Sequence, residues 1–322
     1  MSPLLVMPAL PRTADVAHEA LPALPALCEL LRLADASDPD SGWRAGLLRD
    51  LGAGPQVFPE AVIAASALQI APASGVCLVA PVHAVAGMHR VHLHAAGILQ
   101  LSADERVTLG RDFAAQFGPD LKLHDAGNQW VLEAACAMAA DDTDPLDWAG
   151  APLERRPASS PQQRLLRRLG TEIEMWLAAL PAGARRRGPG HLPVNLFWMW
   201  GGGVMPTRGE LPELRVVSIH GPVDDPWLAG CAMLAGIPAA PLPPAWPGVE
   251  GTGRVMVLPT AADASQLLAL EADWFQPALD DLRAGRLQTL RLRLGRRLQT
   301  VSYGRIRRLF RRNRPWWQAA GA

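Results

Sequence analysis

The sequence predicts an α/β protein, a mixed sheet with helices accompanied by a small α/β lobe. Three observations carry this expectation. Val194–Trp200 is a continuous apolar run bounded by Pro193 and Gly201, the pattern of a strand buried on both faces. Residues 76–134 read as strand, strand, helix, strand, strand. Leu290, Leu292 and Leu294 alternate with Arg291 and Arg293, the period-two pattern of a half-buried strand.

Composition limits the rest. The 322 residues are 49% hydrophobic and 19% charged, which excludes a wholly disordered chain and is enough for a sizeable core. Cys28, Cys77, Cys136 and Cys231 are scattered with no CxxC pair, which excludes a disulfide scaffold and fits reduced thiols in the cytoplasm. No apolar run approaches the roughly 18–20 residues that span a bilayer, so no membrane association is expected. The opening MSPLLVMPALPRT has no basic region ahead of its short apolar stretch, and no signal peptide is read there.

The elements follow in order. Residues 1–70 read as a helical N-terminal segment, with Ala- and Leu-rich runs broken by Pro22, Pro25, Pro39 and Pro55. Residues 71–140 form the small lobe. Val76–Val79 and Arg90–His94 read as strands, and Ser102 with Glu105 makes a capping box for a helix carrying Leu109, Phe113 and Phe117 on one face. Leu121–His124 and Gln129–Ala134 read as two further strands. Residues 141–160, rich in Asp, Pro and Ser, read as a linker. Residues 161–322 read as the main α/β domain. Its long first helix has Ser160 as N-cap, Pro161 at N1, Gln163 completing a second capping box, and Pro181 at its end.

Beyond the apolar run, Leu214–Ile219 and Arg254–Leu258 read as strands and Trp227–Ile237 as a helix. A helix over about 265–284 must kink or break at Pro277. Gly295-Arg296 suits a two-residue type II′ turn, which makes 290–303 a hairpin, and Arg305–Arg312 reads as a closing helix. From Arg283 onward there are twelve arginines and no carboxylate, which leaves 19 basic against 31 acidic residues in the rest of a chain of zero net charge. These arginines are expected on the solvent face of ordered elements, balancing an acidic body. A nucleic-acid partner ranks last, because no recognised nucleic-acid module accompanies them.

Three constellations could carry chemistry. His83, His89, His92 and His94 cluster, and His92 and His94 share a strand face; no zinc-type spacing appears, and a polar strand face accounts for them as well. Asn195, Trp200, Gly201, Gly202 and Gly203 close the apolar run, where glycines allow a ligand close to the backbone or simply form a tight exit turn. His220, Asp224 and Asp225 follow a strand, as a metal-binding trio or as an acidic helix start. No GxSxG or HExxH signature is present.

The run Pro193–Gly203 resembles the "N-x-x-W-L-W-G-x-G" strand and loop of archaeal-type cofactor-independent phosphoglycerate mutases, members of the alkaline phosphatase superfamily. Pro81-Val82-His83, Leu101–Glu105, Asp273–Leu282 and Arg307–Pro315 are similar to segments of bacterial phosphoglycerate-mutase-like, or RpfE-type regulatory, proteins. The resemblance spans roughly residues 76–315. It implies an alkaline-phosphatase-superfamily-like mixed sheet, with 71–140 as the cap lobe. In that family it also implies two metal ions and a phosphorylated Ser or Thr. The matching ligands are missing here: there is no N-terminal Asp-Gly motif, no Asp-x-x-Gly-His motif before the 265–284 helix, and no histidine after His220.

The expectation is therefore a non-catalytic regulatory or ligand-binding protein, with no cofactor and with a small molecule or another protein as partner. A pocket around Asn195, Trp200, Gly201–Gly203, His220, Asp224 and Asp225 is the candidate site. The alternative is a divergent Mn- or Mg-dependent mutase or phosphatase, with ligands among His220, Asp224, Asp225, Asp263 and Asp273.

Overall fold

The computed structural model describes residues 2–8, 21–68, 70–88, 90–138, 143–153, 160–180, 191–251, 253–261, 263–302, 311 and 315–320. In chain order the elements are β1 (Leu4–Met7), α1 (Pro25–Leu33), β2 (Ala34–Ala36), α2 (Trp43–Asp50), α3 (Glu60–Ala65), β3 (Gly75–Ala86) and β4 (Val91–Ile98). Then come α4 (Ala103–Phe117), β5 (Leu121–Asp125), β6 (Trp130–Ala134), α5 (Pro161–Ala179), β7 (Leu196–Val204), β8 (Ser218–Gly221), α6 (Pro226–Ala235) and β9 (Ala239–Pro241). Last are β10 (Arg254–Val257), α7 (Ala264–Leu270), a π turn (Glu271–Phe275), α8 (Gln276–Arg283), β11 (Thr289–Leu294), β12 (Arg297–Ser302) and α9 (Trp316–Ala320). The closing helix read over 305–312 lies outside the described residues except at Arg311.

The chain divides into two compact units. The first comprises Met1–Gln56, Glu213–Val223 and Ala235–Ala322. Its seven-stranded sheet has the order β2-β12-β11-β1-β10-β8-β9. The strands from β11 through β1, β10 and β8 to β9 are parallel; β12 runs antiparallel to β11, and β2 antiparallel to β12. The N-terminal segment is thus not wholly helical, because β1 lies at the centre of this sheet. Leu4–Met7 is buried on both faces, so it shows no alternation, and four residues between Pro3 and Pro8 are too few to reveal a period.

The expected break at Pro277 takes a specific form. Pro277 lacks the N–H that the Asp273 carbonyl would accept in an α-helix, and the helix opens into the π turn. The Asp273 carbonyl accepts instead from the Trp246 N–H, at 2.9 Å. Glu271, on that turn, is buried and accepts from the Ala26 and Leu27 N–H groups. It supplies a remote cap for α1, whose own N-cap Leu24 has no side-chain acceptor.

In the hairpin, Gly295 has φ +50°, as its turn requires. Arg293, however, is 1% exposed rather than solvent-facing. The residues of α2 and its approach cover that side of the hairpin and bring Asp40 and Asp50 to meet the guanidinium.

The second unit comprises Val57–Pro212 and Asp224–Leu234. It takes in the long helix and the Trp/Gly strand, which the sequence alone groups with residues 161–322. Strand pairing is the reason, since β7 runs antiparallel to the lobe's longest strand, β3. On its other side β3 pairs with β6 through Gly75–Val79 and with β4 from Val82. Pro81 falls where the partner changes, so its missing N–H breaks neither ladder.

Alternate residues face two cores. Cys77, Val79, Trp130, Leu132 and Phe197 pack on α4 and α5. Val76, Leu78, Val131 and Trp200 pack on α3. The capping box of α4 is present in both directions, and the Ser160 hydroxyl accepts from the Gln163 N–H at the start of α5.

Candidate functional site

Asn195 precedes β7 and completes its pairing. Its side-chain Nδ2 donates to the Ala84 carbonyl at 2.8 Å and its Oδ1 accepts from the Ala84 N–H at 2.7 Å. The amide thus pairs with the β3 backbone as a neighbouring peptide would. Trp200 is fully buried, and its Nε1–H donates to Gln129 Oε1 at 2.9 Å.

The three glycines are not an exit loop: they lie within β7. Val76 pairs with Gly203 and Leu78 with Trp200, so two β7 residues stand opposite Cys77. This is a β-bulge, and Gly201 takes the left-handed φ of +61° that such a bulge favours. A Cβ on Gly201 would lie 2.9 Å from Glu60 Cβ, and one on Gly203 would lie 2.7 Å from Pro59 Cγ. Gly202, between them, is half-buried. What approaches the backbone closely here is the start of α3.

Asp225 caps α6, with Oδ1 accepting from the Trp227 and Leu228 N–H groups at 2.9 and 3.1 Å. The Asp224 carboxylate is exposed, and its carbonyl accepts from the Asn128 N–H at 2.8 Å. Gly127, at φ +103°, fits beneath that carbonyl, where a Cβ would be 2.1 Å away.

The turn between β5 and β6 therefore joins Trp200, through Gln129, to the start of α6, through Asn128. Sequence reasoning missed this turn, because polar residues in a hairpin turn carry no signal beyond the turn itself. Gln129 Nε2 and Asn128 Oδ1 are buried and without a hydrogen-bond partner among the described residues. Asn195 stands at the opposite end of β7 from the glycines.

His220 belongs to the other unit, on β8. Its Nδ1 lies 3.1 Å from the Pro241 carbonyl, which can only accept, so that nitrogen carries the proton. Its Nε2 then accepts from the Ser218 hydroxyl at 2.9 Å. Both ring nitrogens are occupied. Asp263 caps α7 by accepting from the Gln266 N–H at 2.9 Å, and Asp273 is exposed on the π turn. Among the described residues, no group of three or more His, Cys, Asp and Glu side chains is placed to hold a metal ion. His220, Asp225 and Asp263 in these roles do not fit a two-metal donor set.

The histidine cluster resolves similarly. His83 and His94 have ring centroids 5.9 Å apart. His83 Nδ1 donates to the Pro193 carbonyl at 2.9 Å. His94 Nδ1 accepts from the Ala96 N–H at 3.1 Å, so the neutral ring holds its proton on Nε2 and offers no ligand there. His89 lies outside the described residues.

Ser74, Glu133 and His124 also meet, with the carboxylate in the middle. Its oxygens lie 3.2 Å from Ser74 Oγ and 2.8 Å from His124 Nε2. Histidine cannot take the serine proton in that order, so the trio is no nucleophile–base pair. Burial opposes ionisation of Glu133, but hydrogen bonds from His124 and Ser74 and the Lys122 charge outweigh it and hold the carboxyl below its usual range.

The described arginines of the basic tail are largely engaged within the first unit. Arg293 bonds Asp40 at 2.8 Å and Asp50 at 2.7 Å, and Arg291 bonds Asp50 at 2.7 Å. Arg49 also pairs with Asp40. Arg296 donates to the Asp40 carbonyl at 2.6 Å, and Arg311 reaches Asp35 at 2.9 Å. Trp316 is buried in that unit's core and donates to the Pro22 carbonyl, and Trp317 meets it edge to face.

No protein-family model matches the sequence, and no curated protein matches it significantly. Among solved structures, the chain is similar to a cofactor-independent phosphoglycerate mutase from Thermoplasma acidophilum at 13% identity and a TM-score of 0.39, covering 100% of this chain and 96% of that one. It is also similar to the PH0037 protein from Pyrococcus horikoshii at 13% identity and a TM-score of 0.46, covering 99% and 93%. No helix among the described residues is long and apolar enough to cross a membrane.

Proposed function

We propose that this chain is a non-catalytic, phosphoglycerate-mutase-like protein of the cytoplasm that binds a small molecule or a protein partner in a regulatory role. One observation carries the reading: three of the five side chains that could serve a phosphoryl-transfer centre, His220, Asp225 and Asp263, hold the fold together instead. Asp225 and Asp263 cap helices, His220 bridges Ser218 and Pro241, and the glycines of β7 make room for α3. A resemblance in strand and loop does not bring a reaction with it when the reacting groups have other work. Arg291 and Arg293 of the hairpin are held by Asp40 and Asp50, which weighs against an anionic nucleic acid as their partner.

The test is a coupled phosphoglycerate mutase assay on metal-stripped protein, with Mn²⁺, Mg²⁺ or Zn²⁺ added back. The expected result is turnover no faster than the no-enzyme control. Metal-dependent turnover that chelation abolishes, and that Asp224→Ala also removes, would overturn the proposal. Asp224 suits that control because its carboxylate is exposed, so its loss leaves the fold in place.

A further inference from the structure

Ser218, His220 and Pro241 meet in the order that Ser74, Glu133 and His124 lack. Ser218 and His220 are two apart on β8, so both side chains leave one face of the sheet. The Pro241 carbonyl, 3.1 Å away, keeps the His220 proton on Nδ1, and the Ser218 hydroxyl donates to Nε2 at 2.9 Å. Nucleophile, base and the group that orients the base thus follow one another within hydrogen-bond reach. The β8–β9 ladder fixes the arrangement, with His220 opposite Ala240 and Gly221 opposite Pro241. Ser66, Ser102 and Ser160, by contrast, bond to peptide groups.

Arg254 on β10 lies opposite Ser218 in the parallel ladder. Paired residues share a face of the sheet, so its side chain rises on the face of the hydroxyl, from a backbone one strand spacing of about 4.8 Å away. Arg254 is half-buried, and among the described residues no carboxylate pairs with it, whereas Asp40 and Asp50 hold Arg291 and Arg293. Ser218 and His220 are half-buried too, open in part to solvent. A hydroxyl with both a base and an unpaired cation at hand suits an electrophile that carries negative charge.

We propose that Ser218 is a modification site, an activated hydroxyl that takes the acyl group of an acyl phosphate. Ser218 Oγ attacks the acyl carbon and its proton passes to His220 Nε2, while Nδ1–H stays on the Pro241 carbonyl. The carbon–oxygen bond to phosphate breaks, phosphate leaves with the bonding pair, and the proton on His220 Nε2 goes to it. The products are an ester on Ser218 and free phosphate, and nothing is oxidised or reduced. The Arg254 guanidinium pairs with the phosphate and makes it the better leaving group, which directs attack to carbon and not to phosphorus. The site takes one acyl group per chain and turns nothing over, so it goes beyond the binding role proposed above and does not depend on it.

The test is incubation of the full chain with acetyl phosphate, followed by peptide mass spectrometry. Ser218 should gain an acetyl group about a hundredfold faster than Ser41, an exposed serine in the loop before α2. His220→Gln should remove most of that advantage. Arg254→Gln should slow the reaction with acetyl phosphate but not with the neutral donor p-nitrophenyl acetate. Four results would each overturn the proposal: Ser218 no faster than Ser41, an unchanged rate in folded His220→Gln, no greater loss with acetyl phosphate than with the neutral ester in Arg254→Gln, or phosphate in place of acetyl on Ser218. Should a variant not fold, the comparison of Ser218 with Ser41 in the unaltered chain decides alone.

Discussion

Gly203 and Glu271 show how single residues here answer to neighbours far away in sequence. At Gly203 an added methyl meets Pro59 Cγ at 2.7 Å, inside any ordinary contact. Gly203→Ala should therefore destabilise the protein by about 1–3 kcal/mol, the usual cost of overpacking, read as a lower urea midpoint. If the triad served a ligand and not α3, the same change would leave stability unaltered. Glu271 lies against α1, and burial pushes its carboxyl above the usual range, against the hydrogen bonds from Ala26 and Leu27. The native state then binds that proton more tightly than the unfolded chain does. The contribution of Glu271 to stability is favourable at acidic pH and is lost as pH rises through its raised native pKa. Glu271→Gln keeps an acceptor for one of the two N–H groups and removes the buried charge, so at pH 7 it gains relative to the unaltered chain by the cost of that charge. That advantage should shrink on acidification toward the ordinary carboxylate range, which denaturation at two pH values would show. A constant difference would contradict the assignment.

At the scale of elements, what was legible in the sequence was what is encoded locally. The capping box of Ser102 and Glu105, the Pro161 helix start and the Gly295 turn each lie within a few residues, and each appears where expected. What failed depended on partners. The β7 bulge exists because β3 supplies one residue against two, and no single-strand pattern encodes that. The role of Asn195 was hidden for the same reason, since its mate Ala84 lies 111 residues away. The period-two pattern of β11 identified a strand but not the burial of Arg293, which depends on Asp40 and Asp50 arriving from α2 and its approach. Removing that guanidinium takes the buried partner from both carboxylates and leaves Asp40 to Arg49 and Asp50 to Arg291. Arg293→Ala should cost about 3 kcal/mol in denaturant titrations, whereas a charge on the exposed face of the same hairpin would cost little. A loss below about 1 kcal/mol would show the network to be dispensable.

Over the whole molecule, the uneven charge has a structural use. Arg291, Arg293 and Arg311 meet Asp35, Asp40 and Asp50 of the N-terminal segment inside one unit, where β1 from near one end of the chain pairs with β11 from near the other. Residues 289–302 of the tail are part of a sheet, not an arm. The same economy runs through the candidate site, where Asn195 and the glycines of β7 serve as ladder and bulge and Asp225 and Asp263 as helix caps.

That account is tested most directly by counting bound metal after equilibration with Mn²⁺ or Zn²⁺ and removal of free ions. It predicts far less than one ion per chain, unchanged in Asp224→Ala. About two ions per chain, the complement of a two-metal phosphoryl-transfer centre, falling in that variant, would contradict it.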